Sequence, residues 1–428
     1  HRHQRDRHPA PAPPRSGVVP ARARRRPCAS AALVATALVA VAAVAPRAEA
    51  PPRTAEVGEP GPHTFWLTDT LFGHAQLFDG DTGEMLATVD TGQTLSPKPP
   101  FYSRKRHEFY SVEIAYSRFR RGARTDYVTI HDAHSFAVKG EIVLPSRTSE
   151  SATSIAYAAL LDDERFLATF NQFPVASVSI ADVERRRFVG TIPIAGCAGI
   201  YPLGPRRFAS LCGDGTMLVV SLDERGRAAS TNSTAKFFDA VEDPVMMSGG
   251  RDGERWVFVS FAGMVHEVDF SETPVATTRW SLVSDAEREA GWRPGGKQHV
   301  ALHADSKLLY AIMHEGEPGS HKQAGPEVWV VDLAKRERVA RFEMPNFTAA
   351  FLGTTMQLGT DGFVGWLMRT LLPGGGAHSI AVTQDAQPVL LARNEQMGAL
   401  AVLDARTGEL LRMIGEVGLA GTRIEVVP

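Results

Sequence analysis

Gln76-Leu77-Phe78-Asp79-Gly80-Asp81-Thr82-Gly83, followed by Met85 to Val89, reads as one β-hairpin. An apolar run supplies the first strand. Asp79 opens a turn by accepting hydrogen bonds from the backbone N–H groups ahead of it, Gly83 takes the φ > 0 position, and a second run returns. The same pattern recurs six times. Tyr127–Asp132 precedes Val138–Leu144, Val178–Asp182 precedes Phe188–Ile192, and Met217–Asp223 precedes Arg225-Gly226. Val265–Asp269 precedes Val275–Trp280, Val328–Asp332 precedes Val339–Phe342, and Leu400–Asp404 precedes Leu410–Ile414. Successive aspartates stand 53, 50, 41, 46, 63 and 72 residues apart, so the early repeats are regular and the later ones carry insertions. Further strand-like runs, such as Phe166–Phe170 and Trp256–Ser260, fall between the copies. Four short strands in each repeat of roughly 40–50 residues describe a propeller blade. Sandwiches and solenoids contain similar hairpins, but seven copies fit a closed ring, which leaves no free sheet edge. The expected fold is all-β, a seven-bladed β-propeller.

Two segments break the pattern. Asp285–Ala290, inside Ser284–Gly296, is predicted to be a short helix with acidic residues in its first turn. Residues 346–376 are markedly apolar, with Phe347, Phe351, Leu352, Trp366 and Leu371, and end in Pro373-Gly374-Gly375-Gly376. Soluble monomers rarely leave so much apolar surface exposed. The segment packs beneath a blade, lies on a partner or touches a membrane, and a partner contact is the favoured expectation.

Residues 1–50 hold nine arginines against Asp6 and Glu49, and Cys28–Ala45 runs without a charge. A basic flank, an apolar stretch and small residues at Ala48 and Ala50 make an export signal. A membrane anchor is the rival reading, but alanine dominates the stretch and drives insertion weakly. The expectation is therefore a cleaved signal over 1–50, a single propeller domain over 51–428, a periplasmic location and no stable membrane anchor. The whole chain carries 46 basic and 48 acidic residues. Without residues 1–50 the balance is 46 − 9 = 37 against 48 − 2 = 46, a net of −9. That excludes nucleic acid as a partner, since nucleic-acid binding needs a basic face. Cys197 and Cys212 then remain as an even pair in an oxidising compartment, and a disulfide is expected.

Several strings resemble the heavy subunit of methylamine dehydrogenase and its relative, aromatic amine dehydrogenase. They are Tyr116-Ser117-Arg118-Phe119-Arg120-Arg121-Gly122-Ala123-Arg124-Thr125-Asp126-Tyr127-Val128 and Ala286-Glu287-Arg288-Glu289-Ala290-Gly291-Trp292-Arg293-Pro294-Gly295-Gly296. His303, Tyr310 and His321-Lys322 follow the second string in the family's order. The Cys197–Cys212 region matches with the same fifteen-residue spacing. The resemblance runs from about Thr64 to the C-terminus, excluding 346–376. It implies an α2β2 assembly in which the small subunit carries tryptophan tryptophylquinone and the catalytic base. The complex would oxidise a primary amine, methylamine-like on the strings above, to aldehyde and ammonia. Electrons would pass to an amicyanin-like cupredoxin or a c-type cytochrome. No catalytic residue is then expected on this chain.

The residues agree with a scaffold role. No Gly-x-Ser-x-Gly elbow, Walker loop or His-Glu-x-x-His occurs, and no metal site is expected. His314, Glu315, Glu317 and His321 cluster in sequence, but Pro318-Gly319 makes the segment a loop. Asp126 beside Arg124 reads as a structural salt bridge. Trp292 and Arg293 suit a subunit interface, with core packing as the other reading, and His321-Lys322 joins them as interface candidates. By resemblance, Phe72 of Asp69-Thr70-Leu71-Phe72 reaches into the substrate channel and limits which amines fit; the alternative is an ordinary core phenylalanine. The loop after it is shorter than in the methylamine enzymes, and a long N-terminal arm is lacking. Other classes considered are a stand-alone periplasmic binding propeller and a metal-dependent lactonase, for which no Asp/Glu/Asn/His cluster can be assembled.

Overall fold

The structure, a computed structural model, describes residues 56–428 except 93, 120, 151–152, 272–274, 350–366, 368–370, 372–373, 416, 418–422 and 428. The expected export signal and most of the 346–376 segment lie outside the described residues.

Seven antiparallel sheets stand in sequence. Blade one holds Thr64–Asp69, His74–Asp79 and Met85–Asp90. Its innermost strand, Ile424–Val426, comes from the other end of the chain and pairs Phe65 with Val426 and Leu67 with Ile424. Blade two is Phe101–Ser103, Glu108–Tyr116, Arg124–Asp132 and Val138–Leu144. Blade four is Cys197–Pro202, Arg207–Cys212, Met217–Leu222 and Ala228–Ser233; blade five is Val245–Asp252, Arg255–Ser260, Met264–Asp269 and Ala276–Ser281, and blade seven is Ser379–Val382, Val389–Asn394, Ala399–Asp404 and Leu410–Gly415. In blades three and six the innermost strand is interrupted. Arg147–Thr148 and Ala158–Leu160 both pair with Phe166–Phe173, and Trp292–Pro294 and Val300–His303 both pair with Leu308–Glu315.

The burial pattern follows from blades packed face to face. Mid-blade strands are covered on both sides, so Thr64–Asp69 and Ser177–Asp182 are buried at every position, and their apolar residues need not alternate with polar ones. The outermost strand Ala228–Ser233 is exposed throughout. Seven apolar clusters fill the seven interfaces between successive blades. Tyr310, Val330 and Leu403 join blades six and seven, for example, and Phe65, Leu67 and Leu391 join seven to one. Together with the shared sheet of blade one, that last cluster closes the ring.

All seven aspartate turns form. The Asp79, Asp132, Asp182, Asp223, Asp269, Asp332 and Asp404 carboxylates each accept a hydrogen bond from a backbone N–H two or three residues on. The expected glycine at φ > 0 is present as Gly83, Gly226 and Gly408, but Phe136, Arg186 and Arg336 adopt φ of 55°, 51° and 56° in three of the other four turns. A hydrogen-bonded Asx turn holds the backbone in this region even where the side chain is bulky. The predicted helix is Asp285–Glu289, started by a capping box between Ser284 and Glu287.

Because strands alternate in direction, the aspartate turns and the turns from first to second strand share one face of the ring. Turns from second to third strand, and the connections between blades, share the other. Phe72 lies on the second.

Candidate functional site

The two faces differ sharply. Every large apolar side chain that is exposed outside the outermost strands, among the described residues, lies on the Phe72 face. Leu71, Phe72, Phe119, Phe173 and Val175 stand at second-to-third-strand turns, and Leu95, Val241, Leu367 and Leu371 stand in connections between blades. The remaining exposed ones, such as Met85, Val138 and Leu410, are on outermost strands. An apolar set gathered on one end of a ring, where no turn of the other end has a large apolar side chain in the exposed class among the described residues, marks an interaction face.

Phe72 is 66% exposed, which removes the core reading. Its turn is fixed from beneath. The buried Asp69 Oδ1 accepts the N–H of Leu71 at 2.7 Å and of Phe72 at 3.1 Å, and the Phe72 ring stacks at 6.0 Å on His74. Toward the axis lies a charged cluster. Glu395 receives Lys297 and sits 3.5 Å from Arg423, which also donates to Thr153. Burial draws the Arg393 guanidinium down to about 10, opposed by Asp69 and Glu395.

Trp292, Arg293, His321 and Lys322 occupy a second corner of the same face, in blade six. Trp292 is half-buried. Its ring packs at 5.2 Å on Trp329 and lies under the Arg341 guanidinium, and it borders a cavity of about 410 Å3 shared with His314, Glu315 and Gln323. Arg293 donates to the Gly291 carbonyl. His321 stacks on Phe261 of blade five at 3.7 Å, and Lys322 is exposed. Burial lowers the pKa of both His314 and His321, helped by Arg293 and Lys322 respectively. His314 bonds to the Ser320 hydroxyl, and the His314–His321 segment forms no metal-type cluster. This corner and Phe72 share a face but are separated by blade seven.

Cys197 and Cys212 are bonded and face each other across neighbouring strands. Arg124 and Asp126 form the expected salt bridge, at 2.6 and 2.7 Å in a two-point contact. It also reaches Thr148 and Glu150, so it clasps blade two to blade three.

Three features were not visible in the sequence. A central cavity of about 480 Å3 opens on the aspartate-turn face between Tyr102, Tyr201, Met247 and Trp256. Glu425 projects into it, and burial alone pushes that carboxyl up to about 7. Lys98 is buried in the connection from blade one to blade two and donates to the Ser149 carbonyl at 2.6 Å. Glu59, His107 and His134 converge at the surface. Each set comes from distant segments, so no local spacing announces it.

Known proteins place the chain. The sequence profile of the methylamine dehydrogenase heavy chain matches residues 58–351. The methylamine dehydrogenase heavy chain of Methylobacillus flagellatus is 27% identical over 365 residues, covering 84% of this chain and 82% of that one. The Paracoccus versutus heavy chain is 28% identical over 349 residues, covering 80% and 73%. Among solved structures, the dihydro-heme d1 dehydrogenase NirN aligns with a TM-score of 0.51 at 17% identity, over 86% of this chain and 76% of that one. A putative 6-phosphogluconolactonase from Bacteroides fragilis aligns with a TM-score of 0.51 at 11% identity, over 86% and 98%. These two likenesses show the shared propeller fold alone. With the heavy-chain profile spanning more than half of its residues, the chain belongs to the methylamine dehydrogenase heavy chain family.

Proposed function

We propose that this chain is the large subunit of a periplasmic amine dehydrogenase dependent on tryptophan tryptophylquinone, and that its Phe72 face seats the small subunit carrying the quinone. The observation that supports this most is the gathering of exposed apolar side chains on that face alone.

The cofactor is built from two tryptophans, so the tryptophan pairs of this chain bear on its location. Trp292 and Trp329 lie 5.2 Å apart. Trp329 is fully buried, its Nε1 donates to Glu327, and Arg338 lies over its ring. The two rings pack on each other and under the Arg338 and Arg341 guanidinium groups, and the Trp329 ring is closed to solvent, which fits a quinone held by the companion chain. There it supplies the electrophile and the two-electron sink for amine oxidation.

The residues of this chain bind and orient. Asp69 holds the Phe72 turn in one conformation, so the ring narrows the entrance by volume exclusion and favours small primary amines over bulky ones. The apolar turns lose water on docking, which supplies the hydrophobic part of the association energy against the entropy cost of joining two chains. The Lys297–Glu395–Arg423 cluster offers charged partners near the axis. The Trp292–Lys322 corner extends the contact. Electrons leave from the small subunit to a cupredoxin or a cytochrome c. Export fits the basic, apolar and small-residue order of residues 1–50 and the disulfide.

Co-expression with a small subunit of the family tests this. The two chains should co-elute, show quinone absorbance and oxidise methylamine, while the large chain alone should not. Failure to associate, or turnover by the large chain alone, would overturn it.

A further inference from the structure

We propose that Glu59, His107 and His134 bind a single divalent transition-metal ion of the zinc class on the aspartate-turn face, away from the docking face. Glu59 precedes the first strand, His107 lies in the first turn of blade two, and His134 lies in its Asp132 turn. The glutamate Oε1 is 2.8 Å from His107 Nδ1 and 3.4 Å from His134 Nε2, and all three atoms fall within 4.8 Å of one another. Ligands on a tetrahedral zinc with bonds of about 2.0–2.1 Å stand roughly 3.3 Å apart. Small side-chain rotations bring this set to that spacing.

Two ligands are already held by their far atoms, as outer partners orient metal ligands. Tyr102 donates its hydroxyl to Glu59 Oε2 at 2.5 Å, leaving Oε1 free to face the histidines. His134 Nδ1 lies 2.9 Å from the Val57 carbonyl. A carbonyl only accepts, so Nδ1 carries the proton. In the neutral ring the Nε2 lone pair then points at the Glu59 carboxylate, acceptor against acceptor. A cation between them turns that repulsion into two bonds. Protonation of the ring also relieves it, and would make the group an ion pair with no metal role.

Two imidazoles and one carboxylate suit zinc, and copper(II) or nickel(II) as well. They offer too few oxygens for calcium. The three side chains are about half exposed, at 51%, 59% and 50%, so water can fill the remaining position. Val57 N–H also donates to the His134 carbonyl at 2.8 Å. The ion would pin the lead-in to blade one onto blade two.

The full chain, stripped with chelator, would be titrated with zinc chloride by calorimetry and with cobalt(II) by visible absorbance. Glu59→Gln, His107→Ala and His134→Ala should each weaken one site at least tenfold and remove a cobalt band. The triple variant should bind one ion fewer per chain than the wild type, a difference to which histidines elsewhere do not contribute, and His74→Ala should change nothing. Glu59→Gln keeps the side-chain shape, so its titration stands even if a histidine variant unfolds. Equal stoichiometry and affinity in wild type and triple variant would overturn the proposal and leave ion pairing only.

Discussion

Asp126→Ala should destabilise the ring by about 4 kcal/mol. The Asp126 carboxylate accepts four hydrogen bonds: Arg124 Nε at 2.6 Å, Arg124 Nη2 at 2.7 Å, Thr148 N–H at 2.7 Å and Thr148 Oγ1 at 2.8 Å. Truncation leaves the Arg124 guanidinium, 5% exposed, with Glu150 and the Thr148 carbonyl as acceptors. It also leaves the Thr148 amide and hydroxyl buried without their acceptor. Breaking a buried ion pair costs about 3–5 kcal/mol, and an orphaned buried donor about 1–3 kcal/mol. The two overlap, because one carboxylate serves both, hence about 4 kcal/mol. Lys98 adds to the strain: burial pushes its amine down to about 7, and Asp126 is the leading acidic neighbour that opposes this. With an unfolding entropy of about 2.1 cal/mol/K per residue over the roughly 375 residues of Thr54–Pro428, the melting temperature should fall by about 5 °C. Urea unfolding followed by circular dichroism and tryptophan fluorescence measures this. Arg124→Met in the Asp126→Ala background should recover at least about 1 kcal/mol, since it removes a buried guanidinium left with only the partly exposed Glu150 as a carboxylate partner. A single-variant loss below about 1 kcal/mol, or strict additivity in the double variant, would refute the clasp.

Three further outcomes are expected. Cys197→Ser with Cys212→Ser opens a loop of 15 residues and should cost about 3 kcal/mol; reductant should lower the melting temperature of the wild type and leave the variant unmoved. Glu425 has its folded pKa raised by burial to about 7 from 4.5, so between those values the folded chain holds a proton that the unfolded chain has released. Stability from this group is complete below pH 4.5 and is lost as pH rises through about 7. Glu425→Gln should therefore flatten the fall in stability between pH 5 and 8, and an unchanged slope would contradict the buried carboxyl. Phe72→Ala, at an exposed position, should leave the stability of the lone chain within about 0.5 kcal/mol. In the two-subunit complex it should raise kcat/KM for phenylethylamine relative to methylamine by roughly 10- to 200-fold. An unchanged ratio in steady-state assays would remove Phe72 from the channel.

The fold was legible because each blade repeats one local device. An apolar run ending in an aspartate that bonds its own turn is written within eight residues, and the structure places a hairpin at all seven copies. The apolar alternation was less telling, because mid-blade strands such as Ser177–Asp182 are buried on both faces. Positive-φ turns at Phe136, Arg186 and Arg336 were not legible, since bulky side chains are poor markers of that backbone. Six of the seven hairpins also carry a register shift just before the aspartate, as between Leu77 and Phe78, which no residue type announces. The docking face emerged only when strand direction sorted turns into two sets. Phe72 and Phe119 look alike in sequence to Phe109 and Phe166, yet the first two are exposed and the last two fully buried. Glu59, His107 and His134 are 48 and 27 residues apart, and only ring geometry brings them together.

Hydrogen exchange on the large chain, alone and mixed with a small subunit of the family, probes the proposed docking face directly. The account predicts new protection in the turns at 70–73, 117–123 and 316–326, with the aspartate turns at 80–84, 133–137 and 405–409 unchanged. Protection confined to the aspartate turns, or none on either face while the two chains co-elute, would contradict it.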